Sequence, residues 1–278
     1  MKKTILILIF LMFAVPVVSA QSTEKIKGDR NVTVKQTYID DFETIVVQGD
    51  FSIEIVYNSK PSVNIEADDN LHDAIKFEVV NGVLTFVETM RITSKKKLAI
   101  TVNYGDGLKN IETKGDAEIR SLTSMEIDNA TLTTSDNSRA YLNIKAKNFV
   151  YKSYGKSKAR LNLSADSTKI ELSDTSKLDA LINSTIANFD LYLRSDASIE
   201  GTATNTTIRL DNSANFNGGK FDVKTANLKL ENNSDCTISV NESINIDASG
   251  DSEIYLFGNP KITITNFGDT AKLQKKKR

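Results

Sequence analysis

The stretch SGDSEIYLFGNP, residues 249–260, sets small polar residues around an acid, follows them with an apolar alternation and closes on a turn. TSDNSRAYLNI at 134–144 and SYGKSKARLNL at 153–163 write nearly the same phrase. Taking the small residue of each phrase as an anchor gives Ala117, Ser138, Ser157, Ser176, Ser198, Ala214, Ser234 and Ser252, spaced by 21, 19, 19, 22, 16, 20 and 18 residues. Six residues before the anchors from Ser138 onward stand Leu132, Tyr151, Ile170, Tyr192, Ile208, Leu228 and Ile246, all apolar or aromatic. Two and four residues after them the positions are mostly apolar, as in Ala140 and Leu142 or Ile254 and Leu256. Each phrase therefore carries a strand of period two.

A repeat of about 20 residues is too short for a propeller blade or a helical repeat, and it lacks a leucine-rich consensus. A parallel β-helix remains. Each repeat is then one coil, which buries its apolar face only by stacking on its neighbours. Equivalent residues climb the stack about 4.8 Å at a time, and Ser, Asp and Asn at the corners bond nearby backbone groups. One coil breaks the pattern: two residues after Ser198 stands Glu200, while Ile199 arrives one residue early. This predicts a bulge or shifted corner with looser pairing.

Around the repeat the chain divides simply. Lys2 and Lys3 precede an apolar run from Ile5 to Val18 that ends on Ser19 and Ala20, the pattern of a secretory signal peptide over 1–20 and hence of an exported protein. That run falls short of the roughly 20 residues that span a bilayer, and nothing later is comparably apolar, so no membrane span is expected after cleavage. Gln21, where a lipid-anchored protein needs Cys, argues against lipid attachment there. Residues 21–37 read as a polar, partly disordered linker. Residues 38–108 read as a β cap, with Asn81 and Gly82 between the apolar runs of FEVVNGVLTFVE forming a hairpin turn and DDNLHDAI one helical turn. The repeats fill 109–273, and a basic solvated tail, 274–278, follows. The fold expected is all-β, a single-stranded parallel β-helix with an N-terminal strand and hairpin cap.

Composition and chemistry narrow the function. The net charge of −1 suggests neither nucleic acid nor an acidic membrane surface, and the single Cys236 excludes an intrachain disulfide framework. His72 is the sole histidine and lies in a segment without a nucleophile motif, so a hydrolytic triad is not expected and the residue reads as an exposed or turn histidine. One His and one Cys far apart do not make a zinc site; Cys236 reads as a small buried hydrophobe. The pairs Gly28-Asp29, Gly49-Asp50, Gly105-Asp106, Gly115-Asp116, Gly250-Asp251 and Gly268-Asp269 read as turn chemistry rather than calcium sites. Arg160, Arg194 and Arg209 are lyase-base candidates by charge alone. No catalytic, cofactor-binding or metal residue is assigned. Tyr154 and Tyr255 lie where a sugar-stacking ring would be useful, whereas Tyr151 and Tyr192 fall on the inward position.

The segments YIDDFETIVVQGDFSIEIVYNSKPSVNIEADDNL, VVNGVLTF, KKLAITVNYGDGLKNIETKGDAEI and SGDSEIYLFGNPKITITNFGDTAKL resemble the exported "head GIN domain" family of auto-transporter adhesins, common in Bacteroidetes. The resemblance runs from about Phe42 to Leu273, and its most specific parts are VNGVL and GDSEIYLFGNP. It implies a right-handed β-helix and, by analogy, adhesion; it supplies no catalytic residues, and no autotransporter barrel is visible. The function expected is that of a noncatalytic β-solenoid in the periplasm or at the cell surface, adhesin-like or a scaffold, meeting a surface glycan or envelope protein. The alternatives are a polysaccharide-acting enzyme and a structural protein that polymerises end to end.

Overall fold

The computed structural model describes residues 24–277; the signal peptide expected over 1–20 lies outside the described residues. The chain winds into a β-solenoid of about nine turns. Arg139–Ser153, Lys158–Leu172, Lys177–Leu191 and Asp196–Leu210 stack parallel and in register, Arg139 on Lys158, Lys158 on Lys177 and Lys177 on Asp196. Asn215–Leu230, Asp235–Ala248 and the pair Glu253–Phe257 and Lys261–Phe267 continue the stack. Each long strand breaks its ladder near the middle, as between Ala146 and Asn148, so every coil has a first run and a second run.

A four-residue turn joins one coil to the next, and its conformation explains the phrase that repeats. The second turn residue has positive φ in coil after coil: Gly115, Asp136, Gly155, Asp174, Leu193, Asn212, Asn232, Gly250 and Asp269. Gly and Asn enter this region readily, and Asp bonds locally. The Asp residues do so across coils: Asp136, Asp174 and Asp269 accept the amides of Gly115, Gly155 and Gly250 at 2.8–2.9 Å. Three Gly-Asp pairs, at Gly49, Gly115 and Gly250, are thus turn geometry. At Gly250 a Cβ would sit 2.7 Å from the Asn232 backbone. Leu193, with φ 60°, is the misfit of the ladder.

The fourth turn residue is the anchor, and it is buried rather than a solvated corner. The hydroxyls of Ser157, Ser176, Ser195 and Ser234 donate to the carbonyl three residues earlier at 2.7–2.8 Å, closing the turn. Ser195, not Ser198, is the anchor of its coil, because Lys177 pairs with Asp196 and Asp196 with Asn215. The irregular spacing disappears: Ser176, Ser195 and Ala214 stand 19 residues apart. Two correspondences change with it. Phe189, fully buried, fills the inward position assigned to Tyr192, and Tyr192 lies exposed on the turn. The register does shift between Ser198 and Glu200, as expected, but the extra residue belongs to the following coil, where Gly218-Gly219 bulges between Asn217 and Lys220. Ile199 itself points inward and is buried.

The interior is continuous and aromatic at its centre. Phe189 packs edge-on against Phe216 and Phe221, at 4.9 and 5.9 Å between ring centres. Tyr151 is buried, as expected, and its hydroxyl meets Thr134 at 2.9 Å. Cys236 is fully buried, and burial pushes its thiol far above the ordinary range, which makes it inert packing.

The N-terminal end closes differently. Val83–Glu88 and Leu98–Tyr104 lie parallel over the first coil strands, Thr44–Val47 and Ser52–Tyr57. Ile75–Val80 and Ser62–Asp68 then pair antiparallel to them and stop the stack, with the hairpin at Asn81-Gly82 as expected and a 3-10 turn at Asp69–Ala74. Val32–Tyr38 adds antiparallel to Ser62–Asp68, and Lys25–Lys27 pairs with Arg91–Ser94, so the described part of the segment read as a partly disordered linker forms strands. The basic end likewise adds Lys272–Lys275 to the ladder. Asp68 ties the N-terminal segment down by accepting the amides of Arg30, Lys96 and Lys97 at 3.0–3.2 Å. Burial alone would raise its carboxyl pKa, but these amides hold it below the ordinary value.

Three outcomes are expected. Ile170→Asp, which buries an unpaired carboxylate, should destabilise by several kcal/mol and remove hydrogen-exchange protection from both adjacent coils. Leu193→Gly should raise the denaturant midpoint, since a left-handed non-glycine residue stores roughly 1 kcal/mol. Because the Asp68 pKa is depressed, its contribution is complete above the unfolded value of about 3.9 and is lost as pH falls through the folded value. Acid titration should therefore narrow the stability difference between wild type and Asp68→Asn only below that range.

Candidate binding face

The second runs of the coils build a flat face whose outward side chains stack in three columns. The first holds Asn129, Asn148, Ser167, Ile186, Asn205, Thr225 and Ser243, and the second Thr131, Val150, Lys169, Asn188, Thr207, Asn227 and Asn245. Strand alternation sends every second residue outward, and strict register puts like on like. Asn148 donates to Asn129 at 2.8 Å, Asn245 to Asn227 at 2.8 Å, and Thr225 to Asn205 at 2.6 Å. Each amide so used keeps a further donor or acceptor for an outside partner. The third column carries charge that is largely satisfied, with Arg209 on Asp190 at 3.5 Å and Lys169 on Glu171.

One edge of this face is the turn ridge, where Tyr154 and Tyr192 stand exposed two coils apart, about 9.6 Å along the stack. Leu193 and Arg194 follow on the same turn, both exposed. Tyr154 was legible as a corner aromatic; its pairing with Tyr192 was not, because the anchor three residues late placed Tyr192 in the core. Tyr255 is different. It sits on the opposite run and bonds Glu253, which raises its phenol pKa above the ordinary value.

The residues considered for chemistry do not converge. Arg160 lies on the first run near Asp179 at 3.9 Å, Arg209 on the second run, and Arg194 on the turn. His72 lies in the 3-10 turn, as one of its two readings had it, but is buried rather than exposed, beside a shallow groove of about 730 Å³ lined by Asp73, Lys76 and Glu78. Its Nε2 lies 2.9 Å from the Thr33 hydroxyl, which itself donates to Asp69 at 2.9 Å. With its one proton given to Asp69, that hydroxyl accepts from His72 and is not deprotonated by it. Burial first and Lys35 second lower the His72 pKa, keeping the ring neutral. The corner acids are spread along the rod: Asp116 and Asp251 occupy equivalent turns at opposite ends of the repeat.

Among curated proteins, none matches. Solved structures do. A "putative adhesin" of Parabacteroides distasonis superposes with a TM-score of 0.68 at 18% identity, covering 91% of this chain and 100% of that one. A "putative lipid binding protein" of the same organism gives 0.60 at 17% identity, with 91% and 99% covered. A "putative adhesin" of Parabacteroides merdae gives 0.59 at 18% identity over the same shares. At these identities the likeness is one of fold. The family described as "Putative auto-transporter adhesin, head GIN domain" matches residues 41–188 and 162–260. These two matches, over most of the chain, make it a member of the head GIN domain family.

Proposed function

We propose that the protein is exported and acts as a noncatalytic, adhesin-like binding protein of the cell envelope. In this reading it meets a surface glycan or envelope protein along the face of Asn, Ser and Thr columns. The observation that carries this reading is the regularity of that face: hydrogen-bonding groups recur every coil, about 4.8 Å apart, on a rigid support. A repeating polymer presents partners at regular intervals too, and many weak contacts in phase add up along its length. The exposed Tyr154 and Tyr192 add planar surfaces at the rim, and such rings offer large contact area with little conformational freedom to lose. The interior is filled by Phe189, Phe216 and Phe221, so a ligand meets the outside of the rod. Family membership supports adhesion in the same direction.

Two measurements test this. Purified protein should be retained by envelope polysaccharide or intact cells, and the pair Tyr154→Ala with Tyr192→Ala, or Asn188→Glu on the face, should weaken retention at least tenfold, about 1.4 kcal/mol. No retention on any envelope fraction or glycan array, or retention indifferent to these variants, overturns the assignment. Protease added to intact cells should digest the protein if it reaches the surface, and digestion only after outer-membrane rupture would make it a periplasmic binding protein instead.

A further inference from the structure

The first runs carry a different pattern, one of charge. Cut at equivalent positions of the coil, the described chain falls into bands of alternating sign. Residues 24–138 hold 13 Lys and Arg against 20 Asp and Glu. The three coils 139–195 hold 10 against 5, the three coils 196–252 hold 4 against 9, and 253–277 hold 5 against 2. The bands therefore run negative, positive, negative, positive along the rod. One outward column condenses the pattern: Glu118, Arg139, Lys158, Lys177, Asp196, Asn215, Asp235, Glu253, Lys272.

Read backwards, this column complements itself on both flanks, with like charge meeting like only at its centre. Glu118 meets Lys272, Arg139 meets Glu253, Lys158 meets Asp235 and Lys177 meets Asn215, with Asp196 at the centre. Sequence alone hides this, because the residues are spread over more than 150 positions and only the register aligns them. Within one molecule the two ends of the column form ion pairs, Arg139 with Glu118 at 4.0 Å and Lys272 with Glu253 at 2.7 Å, while its middle does not. Among the described residues Lys158, Lys177 and Asp235 have no ion pair within 4.0 Å, although Lys158 and Lys177 stack on each other. The carboxyl pKa of Asp235 is raised, by burial and then by its acidic neighbours Glu253 and Asp251. Beside the centre of the column, Leu181 is 43% exposed and lines a groove of about 410 Å³ with Ala180, Ser198 and Glu200.

We propose that this face is the interface of an antiparallel dimer, two copies lying side by side about a twofold axis near Asp196 and Leu181. Arg139 and Lys158 of each copy face Glu253 and Asp235 of the other, and Lys177 faces Asn215 between the acidic Asp196 and Asp235. Twofold symmetry requires a surface that complements its own reverse, and a banded column satisfies that where a uniformly charged one cannot. Leu181, in a groove also lined by Arg160, Asp179 and Glu200, is the apolar surface near the axis whose burial adds to the charge pairing. The pairing leaves the Asn, Ser and Thr face of both copies outward, so it stands independently of the ligand assigned to that face.

Sedimentation velocity on the purified protein tests it. Dimer is expected at about 0.01 M salt, where the screening length is about 30 Å, and at least tenfold weaker association at about 1 M, where it is about 3 Å. K158E with K177E should be monomeric at low salt with unchanged thermal stability, as should D235K with E253K. An equimolar mixture of the two variants should form a heterodimer. The neutral pair K158Q and K177Q serves if a reversal impairs folding, and it too should weaken the dimer. A monomer at every concentration in low salt overturns the proposal, as does a dimer indifferent to all these substitutions or assembly into open filaments.

Discussion

Register is the constraint from which the rest follows. Outside its turns a coil of this solenoid has no backbone partner within itself; the amides and carbonyls of its runs pair with the coils before and after it. An insertion or deletion in one run therefore shifts that run against both neighbours unless a bulge absorbs it. The Gly218-Gly219 bulge is such an absorber, taking up the extra residue against Ile199 on one side while Gly218 stays paired with Ile238 on the other. Strict stacking also explains why the turn is so uniform. A left-handed second residue and an inward fourth residue return the chain to the same height each time, so Gly, Asn or Asp at one position and Ser or Ala at the other recur as the visible phrase.

That phrase made the architecture readable in advance, since a period, an inward alternation and a small anchor together leave little but a β-helix. The weak point was a local ambiguity. RSDAS contains two serines three residues apart, and each satisfies the rule of a small residue before an alternating run. Only pairing decides between Ser195 and Ser198, and pairing is a property of the neighbouring coils. The choice carried Tyr192 into the core on paper and left Phe189 unassigned. The strands at Val32–Tyr38 and Lys272–Lys275 were missed for another reason. They are edge strands with mostly exposed side chains, held by backbone hydrogen bonds to a preformed ladder, so they carry little of the hydrophobic signal by which a strand is recognised.

The binding face was less legible than the fold. Its residues are ordinary polar ones separated by some 19 positions, and no short motif marks them. Asn148 and Asn129 become a ladder only once the coils are stacked. The same holds for the banded column on the opposite run. Surface function on a solenoid is written down columns, across the direction in which the sequence is read, whereas stability is written along each coil.

The direction of the hydrogen bonds gives the rod a mechanical character. Coil-to-coil bonds run along the stacking axis, so a pull on the chain's C-terminal end loads one coil at a time and peels it from the next. Each coil of 19 residues, once released, would pay out about 60 Å of extended chain. A load spread over the flat face is instead shared by every coil beneath it. The molecule would then yield by stepwise lengthening when tugged from its terminus, yet resist as one body a partner lying along its side.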